Sequence, residues 1–141
     1  ALDSAGVACK TGLVKDGSPL VVGSHWYRPE AYGGENFRWA DNGAQIKLTA
    51  AQPTPFVLEA FVEPGPGLGG VPLQLSVKDE RGAVIAKGQA QRIRGYAVFA
   101  LPPAPVGATL TLLTPSKNAK SPGDPRTLNF RVFDLKIKPH T

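Results

Sequence analysis

The chain has few of the cysteine and histidine residues from which disulfides and most small metal sites are built. Cys9 is the only cysteine, and the 141 residues include two histidines and no methionine. A single cysteine excludes an intramolecular disulfide and a cysteine-rich metal site. No apolar run approaches the roughly 18 residues that a membrane-spanning helix needs. The sequence therefore predicts no cofactor, no metal site and no transmembrane segment.

The cellular compartment is open to two interpretations. The chain is either cytoplasmic, or a mature or excised piece of an exported protein. The absence of methionine, an initiator included, favours the second interpretation, and Ala1 is not followed by a basic and apolar leader. We expect a periplasmic or extracellular domain, with a cytoplasmic one as the alternative.

Helical periodicity is also absent over any useful length, whereas 16 glycines and 14 prolines punctuate the chain. Between these turn signals lie short segments in which apolar and polar residues alternate, and residues 73–78 are the clearest of them. This pattern is typical of half-buried strands. The sequence therefore predicts an all-β fold in which residues 1–141 form one domain. The expected architecture is a two-sheet antiparallel, jelly-roll-like β-sandwich of about eight or nine strands.

Two of the predicted strands carry details that a structure can check. Residues 95–101 are apolar on both faces, so this strand is predicted to be central in its sheet. Residues 79–82 follow a strand and precede another, which predicts a hairpin turn. Gly82 is expected there at a position with a positive φ.

The last strand changes phase near its middle. The alternation is lost at Phe133-Asp134, which predicts a β-bulge that returns Leu135 to the core side. Before this strand, Asp124 and Arg126 are predicted to form an ion pair or to cap the neighbouring loop. We assign that pair a structural role.

The charge of the chain limits its partners. The 16 lysines and arginines exceed the 11 acidic residues, giving a formal net charge of +5 that would allow an acidic partner. The basic residues are dispersed, however, and no run interleaves them with aromatic residues as nucleic-acid platforms do. We therefore predict no nucleic-acid partner. Most of these charges are interpreted as solubility charges, and an anion-attracting field is the minor alternative.

Catalytic motifs are missing as well. No Gly-x-Ser-x-Gly elbow occurs, and His25 stands alone beside an aromatic residue, where a hydrogen-bonded structural role is favoured. A carboxylate pair for glycoside hydrolysis would have to come from Glu30, Glu35 and Asp41. Salt links to nearby arginines and a turn at Asp41 explain these residues better. We predict that the chain is not an enzyme.

The most distinctive segment is residues 23–48, which holds both tryptophans and two of the three tyrosines. Aromatic planes surrounded by polar groups are what a sugar-binding site requires. A ligand site is therefore predicted from Trp26, Tyr27, Glu30, Tyr32, Arg38 and Trp39. The alternative is that both indoles close the hydrophobic core and that Arg38 pairs with Glu30 or Glu35 to fix the loop.

Three short motifs carry a resemblance that spans most of the chain. They are Gly23-x-His25-Trp26-Tyr27-x-x-Glu30, Phe37-Arg38-Trp39 and Asp124-x-Arg126-x-Leu128. With them the chain resembles carbohydrate-binding-like β-sandwich domains of bacterial cell-surface polysaccharide systems, which occur appended to or encoded beside membrane glycosyltransferases. It departs from that pattern at Ser24-His25, which delays the first ring, and at Ala40, where a small hydroxyl residue is expected.

The resemblance implies an exported, non-catalytic module. Our first hypothesis is that the module binds or positions a glycan beside a polysaccharide enzyme, so its partner would be a glycan or a polysaccharide-synthesis protein. The alternative is a structural or protein-interaction β-sandwich domain without a small ligand. The solvent exposure of Trp26, Tyr27, Tyr32 and Trp39 is expected to discriminate between these two hypotheses.

Overall fold

The computed structural model describes residues 18–65, 72–115 and 129–139, and within these ranges it contains strands and no helix. The strands are β1 (Leu20–Val22), β2 (Glu30–Tyr32), β3 (Glu35–Ala40), β4 (Ala44–Leu48), β5 (Phe56–Pro64), β6 (Gln74–Lys78), β7 (Val84–Gln89), β8 (Gly95–Leu101), β9 (Thr109–Leu113) and β10 (Phe130–Pro139). No segment of these ranges forms a helix long and apolar enough to cross a membrane. That residues 1–141 form one domain remains a prediction.

The strands form two antiparallel sheets of five strands each, so the predicted two-sheet β-sandwich is confirmed. Sheet I has the order β1-β4-β9-β6-β7, and sheet II has the order β2-β3-β10-β5-β8. The hydrophobic core lies between the sheets, and both contribute fully buried side chains to it, among them Ile46 and Leu112 from sheet I and Leu58, Phe99 and Phe130 from sheet II. Each sheet therefore also has an outer face, which points away from its partner sheet.

The alternation of apolar residues decides which side of each strand is buried. Even-numbered residues of β5 from Phe56 to Val62 are buried, and the residues between them are half-exposed. In β8 the odd-numbered residues are buried, while Tyr96 and Val98 are 36% and 47% exposed. Among the described strands, β8 pairs with β5 alone and is an edge strand, so the prediction that it is central is wrong. Its second apolar side belongs to an outer face and not to the core.

The predicted bulge in β10 is confirmed. The register between β10 and β5 shifts between Val132 and Asp134, which leaves Phe133 as the extra residue. Leu135 then returns to the core and is 1% exposed. Phe133 instead contacts Phe37 and Phe61 on the outer face of sheet II. The bulge therefore adds a ring to that face without removing one from the core.

The predicted hairpin between β6 and β7 is also confirmed. The Asp79 carboxylate accepts hydrogen bonds from the backbone N–H groups of Arg81 and Ala83, at 2.9 and 3.0 Å. Gly82 has a φ of 82°, a conformation that glycine adopts without steric cost. The predicted pair of Asp124 and Arg126 lies outside the described residues.

Two segments pass from one sheet to the other at the same end of the sandwich. Residues 23–27 lead from sheet I to sheet II, and backbone hydrogen bonds tie their start to β4 and their end to β3. Residues 41–43 make the return turn from β3 to β4. His25 has a φ of 70°, and its Nδ1 lies 2.8 Å from Asp41 Oδ1, so it links the two crossings. This is the hydrogen-bonded structural role predicted for His25.

A buried asparagine connects this corner to the last strand. Asn129 is fully buried, and its Oδ1 accepts a hydrogen bond from the Asn42 N–H at 3.2 Å. The backbone N–H of Asn129 donates to the Ala40 carbonyl at 3.0 Å. Asn42 in turn accepts from the Thr114 N–H at 2.7 Å. These bonds fix the β3–β4 turn against β9 and β10.

Candidate functional site

Trp26 lies on the core side of the predicted ligand segment. It forms an isolated bridge with Ala40, and its indole N–H donates to the Gln45 carbonyl at 2.8 Å. Its ring packs edge-on against buried Phe130, with the ring centroids 6.4 Å apart. Trp26 therefore closes the end of the hydrophobic core, as the structural alternative for this residue expects.

Arg38 fixes the same segment from inside. Its Nε donates to the Tyr27 carbonyl at 2.8 Å, and burial lowers the pKa of its guanidinium. Glu35, one of the two carboxylates considered as its partner, pairs with Arg94 instead. Arg38 therefore fixes the position of the backbone at Tyr27.

The remaining predicted residues lie along the outer face of sheet II. The Tyr27 N–H donates to the Trp39 carbonyl at 2.9 Å, so these residues are opposite each other. Glu30 pairs with Phe37 in the ladder between β2 and β3, and Tyr32 pairs with Glu35. The side chain of Tyr32 is 80% exposed. The predicted site is therefore divided between two sides of one sheet edge.

A row of aromatic rings continues from this edge across the outer face of sheet II. Neighbouring centroids in the row are 4.9 to 6.2 Å apart, a normal distance for tilted and edge-to-face contacts. The row crosses β3, β10, β5 and β8. The rings, which we call the aromatic face, are Trp39, Phe37, Phe133, Phe61 and Tyr96. Outer faces of antiparallel sheets are usually polar, so this composition marks the face as unusual.

Two arginines lie over the middle of the aromatic face. The Arg131 guanidinium is 4.6 Å from the ring centroid of Phe37 and 5.1 Å from that of Phe133. The Arg94 guanidinium is 4.1 Å from the centroid of Phe133. These distances are those of cation–π contacts. The rings and the two guanidinium planes form one layer outside the core.

Carboxylates hold both arginines in place. Arg131 Nε donates to Glu63 Oε1 at 2.7 Å, with 23% and 25% of the two side chains exposed. Arg94 forms its ion pair with Glu35, and this contact lowers the pKa of the Glu35 carboxyl and raises that of Arg94. The guanidinium groups are therefore positioned by charged hydrogen bonds as well as by the rings.

Lysines and carboxylates border the other end of the aromatic face. Lys136 Nζ lies 5.0 Å from the ring centroid of Tyr96 and 3.6 Å from Glu59 Oε1. Lys138 Nζ lies 2.7 Å from Glu59 Oε2, and this hydrogen bond lowers the pKa of the Glu59 carboxyl. The face thus offers aromatic surface bordered by ammonium and carboxylate groups.

Sequence reasoning did not place Phe61, Tyr96, Phe133, Arg94 and Arg131 in the site. A signal was present for Phe61, because alternation placed it on the side of its strand that also carries Glu59 and Glu63. Tyr96 carried no such signal, because both sides of its strand are apolar and the strand was predicted to be central. These residues are far apart in the chain, and strand pairing brings them together. No group of three or more histidine, cysteine or acidic residues that could hold a metal occurs in the described part of the chain.

Comparison with known proteins agrees with the architecture. No protein-family model and no curated protein matches the chain. Among the solved structures that match is CsCBM6-3 from Clostridium stercorarium in complex with cellobiose. The TM-score is 0.50, the sequence identity is 8%, and the similarity covers 86% of each chain. At this identity the likeness concerns the β-sandwich fold alone.

Proposed function

We propose that the protein is a non-catalytic, exported accessory module that binds or positions a glycan in a bacterial cell-surface polysaccharide system. The observation that carries the proposal is the aromatic face, a row of rings on the outside of a sheet. Trp39, Phe61 and Tyr96 keep exposed ring surface, whereas Phe37 and Phe133 are buried beneath the two arginines. Exposed aromatic surface outside the core is a usual mark of an interaction site. The fold shared with a protein that was solved with cellobiose supports a glycan as the ligand.

The geometry of the aromatic face suits a sugar. A sugar ring has apolar C–H faces, which stack on aromatic surface, and hydroxyl groups, which bond to charged and amide side chains. Tyr32, Trp39 and Tyr96 supply surface that is at least partly exposed. The carboxylate of Glu30 lies on the same side, opposite Phe37. We assign contact roles to Trp39, Tyr32, Tyr96 and Glu30, and positioning roles to Arg38 and Trp26.

The two tryptophans make a direct test. The Trp26→Phe variant keeps Trp39 as its only indole, and the Trp39→Phe variant keeps Trp26. A glycan array first identifies an oligosaccharide that binds the wild-type protein. Titration with that oligosaccharide should change the fluorescence of the variant that retains Trp39 and leave that of the other variant unchanged.

Contact variants complete the test. Tyr96→Ala and Tyr32→Ala should each weaken binding about tenfold, a loss of roughly 1.4 kcal/mol, while the melting temperature changes little. Asn36→Ala, at an exposed position of β3, is the matched control and should bind as the wild type does. If no oligosaccharide on the array binds, the glycan proposal is wrong, and a structural or protein-interaction domain takes its place. Binding that responds only through Trp26 would refute the aromatic face as its location.

A further inference from the structure

The outer face of sheet I differs from the aromatic face in its charge. Strand register and burial place mostly polar side chains outward on β6, β7 and β9, together with the apolar Val84 and Leu113. Among the outward residues of the described strands of sheet I none is acidic. The outward residues at the centre of this face are Gln74, Ser76, Lys78, Lys87, Gln89 and Thr111. Amide, hydroxyl and ammonium groups thus occur here without a carboxylate.

Lys78 and Lys87 have no counter-ion within the described residues. Neither forms a salt bridge there, whereas Lys138 on sheet II lies 2.7 Å from Glu59. Lys87 pairs with Ser76 across the β6–β7 ladder, and Lys78 is two residues further along β6. Diagonal neighbours of this kind lie about 7 to 8 Å apart, so the two positive charges repel each other. A ligand with negative charge would remove that repulsion.

Protection of a sheet edge explains only one of these lysines. A charged residue on an edge strand prevents pairing with other chains, and Lys87 lies on the edge strand β7. Lys78 lies on β6, which has β9 on one side and β7 on the other. Edge protection therefore does not account for its charge.

The two lysines line a groove. The groove has a volume of about 570 Å³, and Gln74, Ser76 and Gln89 lie along it beside both ammonium groups. Residues 113–115 form part of its wall. This volume is within the usual range for small-ligand sites, roughly 300 to 1,000 Å³. No aromatic residue lines it, so neither a nucleic-acid base nor a sugar ring has an aromatic plane to stack on there. A ligand of this groove would be held by its charge and its hydrogen bonds.

We infer that this groove binds a carboxylated sugar residue of an acidic glycan. The ammonium groups of Lys78 and Lys87 bind the carboxylate, and the amides and the hydroxyl along the groove bond to the sugar hydroxyls. The choice of a glycan rests on the proposed function, whereas the place and the charge of the ligand do not. The groove is on the opposite side of the sandwich from the aromatic face, so the two sites can be tested separately.

The test uses short oligomers of galacturonate, mannuronate and hyaluronan, titrated by calorimetry at low ionic strength. At least one should bind, and the Lys78→Gln, Lys87→Gln double variant should weaken binding about tenfold or more. The control is the Arg28→Gln, Arg92→Gln double variant, which removes the same charge from exposed loop positions and should change the affinity less than about twofold. A neutral cello-oligosaccharide should show no dependence on the two lysines.

Four outcomes would overturn the inference. The first is that none of the three uronate oligomers binds. The second is that the arginine control loses as much affinity as the lysine variant, since the binding would then reflect net charge alone. The third is that a single-stranded DNA oligomer of equal length binds as tightly with the same lysine dependence, which would indicate a general polyanion surface. The last is that Trp39→Ala removes uronate binding and the lysine variant does not, which would leave the proposed function standing.

Discussion

Arg131 is the residue on which the organisation of the aromatic face depends most. Its guanidinium lies over Phe37, Trp39 and Phe133 while it donates to Glu63. We expect Arg131→Met to destabilise the protein, because methionine keeps the apolar stem but removes the charged plane and leaves a carboxylate without its partner. Arg131→Lys should destabilise it less, because the charge remains while the planar stacking is lost.

The size of the effect follows from the contacts. A partly buried charge-assisted pair contributes about 1 kcal/mol, and a cation on partly desolvated rings contributes about 1 to 2 kcal/mol. New contacts of the methionine with the rings offset some of this, so the expected loss is about 2 kcal/mol. For a domain of this size the melting temperature should fall by roughly 6 °C. Arg131→Lys should cost about half as much.

Urea unfolding measures these changes, and a double-mutant cycle with Glu63→Gln separates the ion pair from the ring contacts. Lys47→Met is the control, because Lys47 is exposed on β4 of sheet I and should change the unfolding free energy by less than about 0.5 kcal/mol. An Arg131→Met variant as stable as the control would show that the guanidinium contacts do not stabilise the protein. An Arg131→Lys variant as unstable as Arg131→Met would show that the retained charge contributes nothing.

The other predictions concern stability. Asn129→Ala should lower the unfolding free energy by about 1 to 3 kcal/mol, because the half-buried Asn42 N–H loses its acceptor on the fully buried Asn129, whereas exposed Asn36→Ala should have no measurable effect in urea. Gly88→Ala should cost about 1 to 3 kcal/mol in the same assay, because the added Cβ would lie 2.8 Å from Phe99 and 2.9 Å from the Val98 carbonyl; an unchanged midpoint would refute this close approach. Hydrogen bonding to Lys138 lowers the pKa of Glu59 below 4.5, so its stabilisation is present above that pH and is lost as the pH falls. Glu59→Gln should therefore reduce the loss of stability as the pH falls below 4.5, and a pH profile parallel to that of the wild type would contradict this.

The alternation of apolar and polar residues along the strands was sufficient to predict most of the fold. The turn at Gly82 and the bulge at Phe133 were predictable, because both depend on local backbone geometry or on the period of a strand. The position of β8 was not, because a period reports which sides of a strand are apolar and not what lies beside it. Tyr96 and Val98 are apolar and outward, and a strand with such residues resembles a central one in sequence.

The candidate site was predictable only in part, for a related reason. The site was predicted in residues 23–48 because these residues contain both tryptophans and two of the three tyrosines. This segment does supply Trp39, Tyr32 and Glu30 to the candidate site. The other rings of the aromatic face come from β5, β8 and β10, and strand register alone makes them neighbours. Arg94 and Arg131, which cover these rings, are likewise distant in sequence from Glu35 and Glu63, the carboxylates with which they pair. Short sequence motifs therefore cannot reveal these ion pairs.

Register also explains why the two tryptophans differ. Trp26 bridges Ala40, whose side chain is in the core, so Trp26 faces the core as well. Trp39 is the residue before Ala40 in β3, and adjacent residues of a strand point to opposite sides. A tryptophan on each side of one strand pair means that a change at Trp26 acts on the packing of the sandwich end, while a change at Trp39 acts on the outer face. Residues 23–48 therefore contribute both to the core and to the candidate site. For this reason the average solvent exposure of these residues could not have distinguished a ligand site from a segment that closes the core.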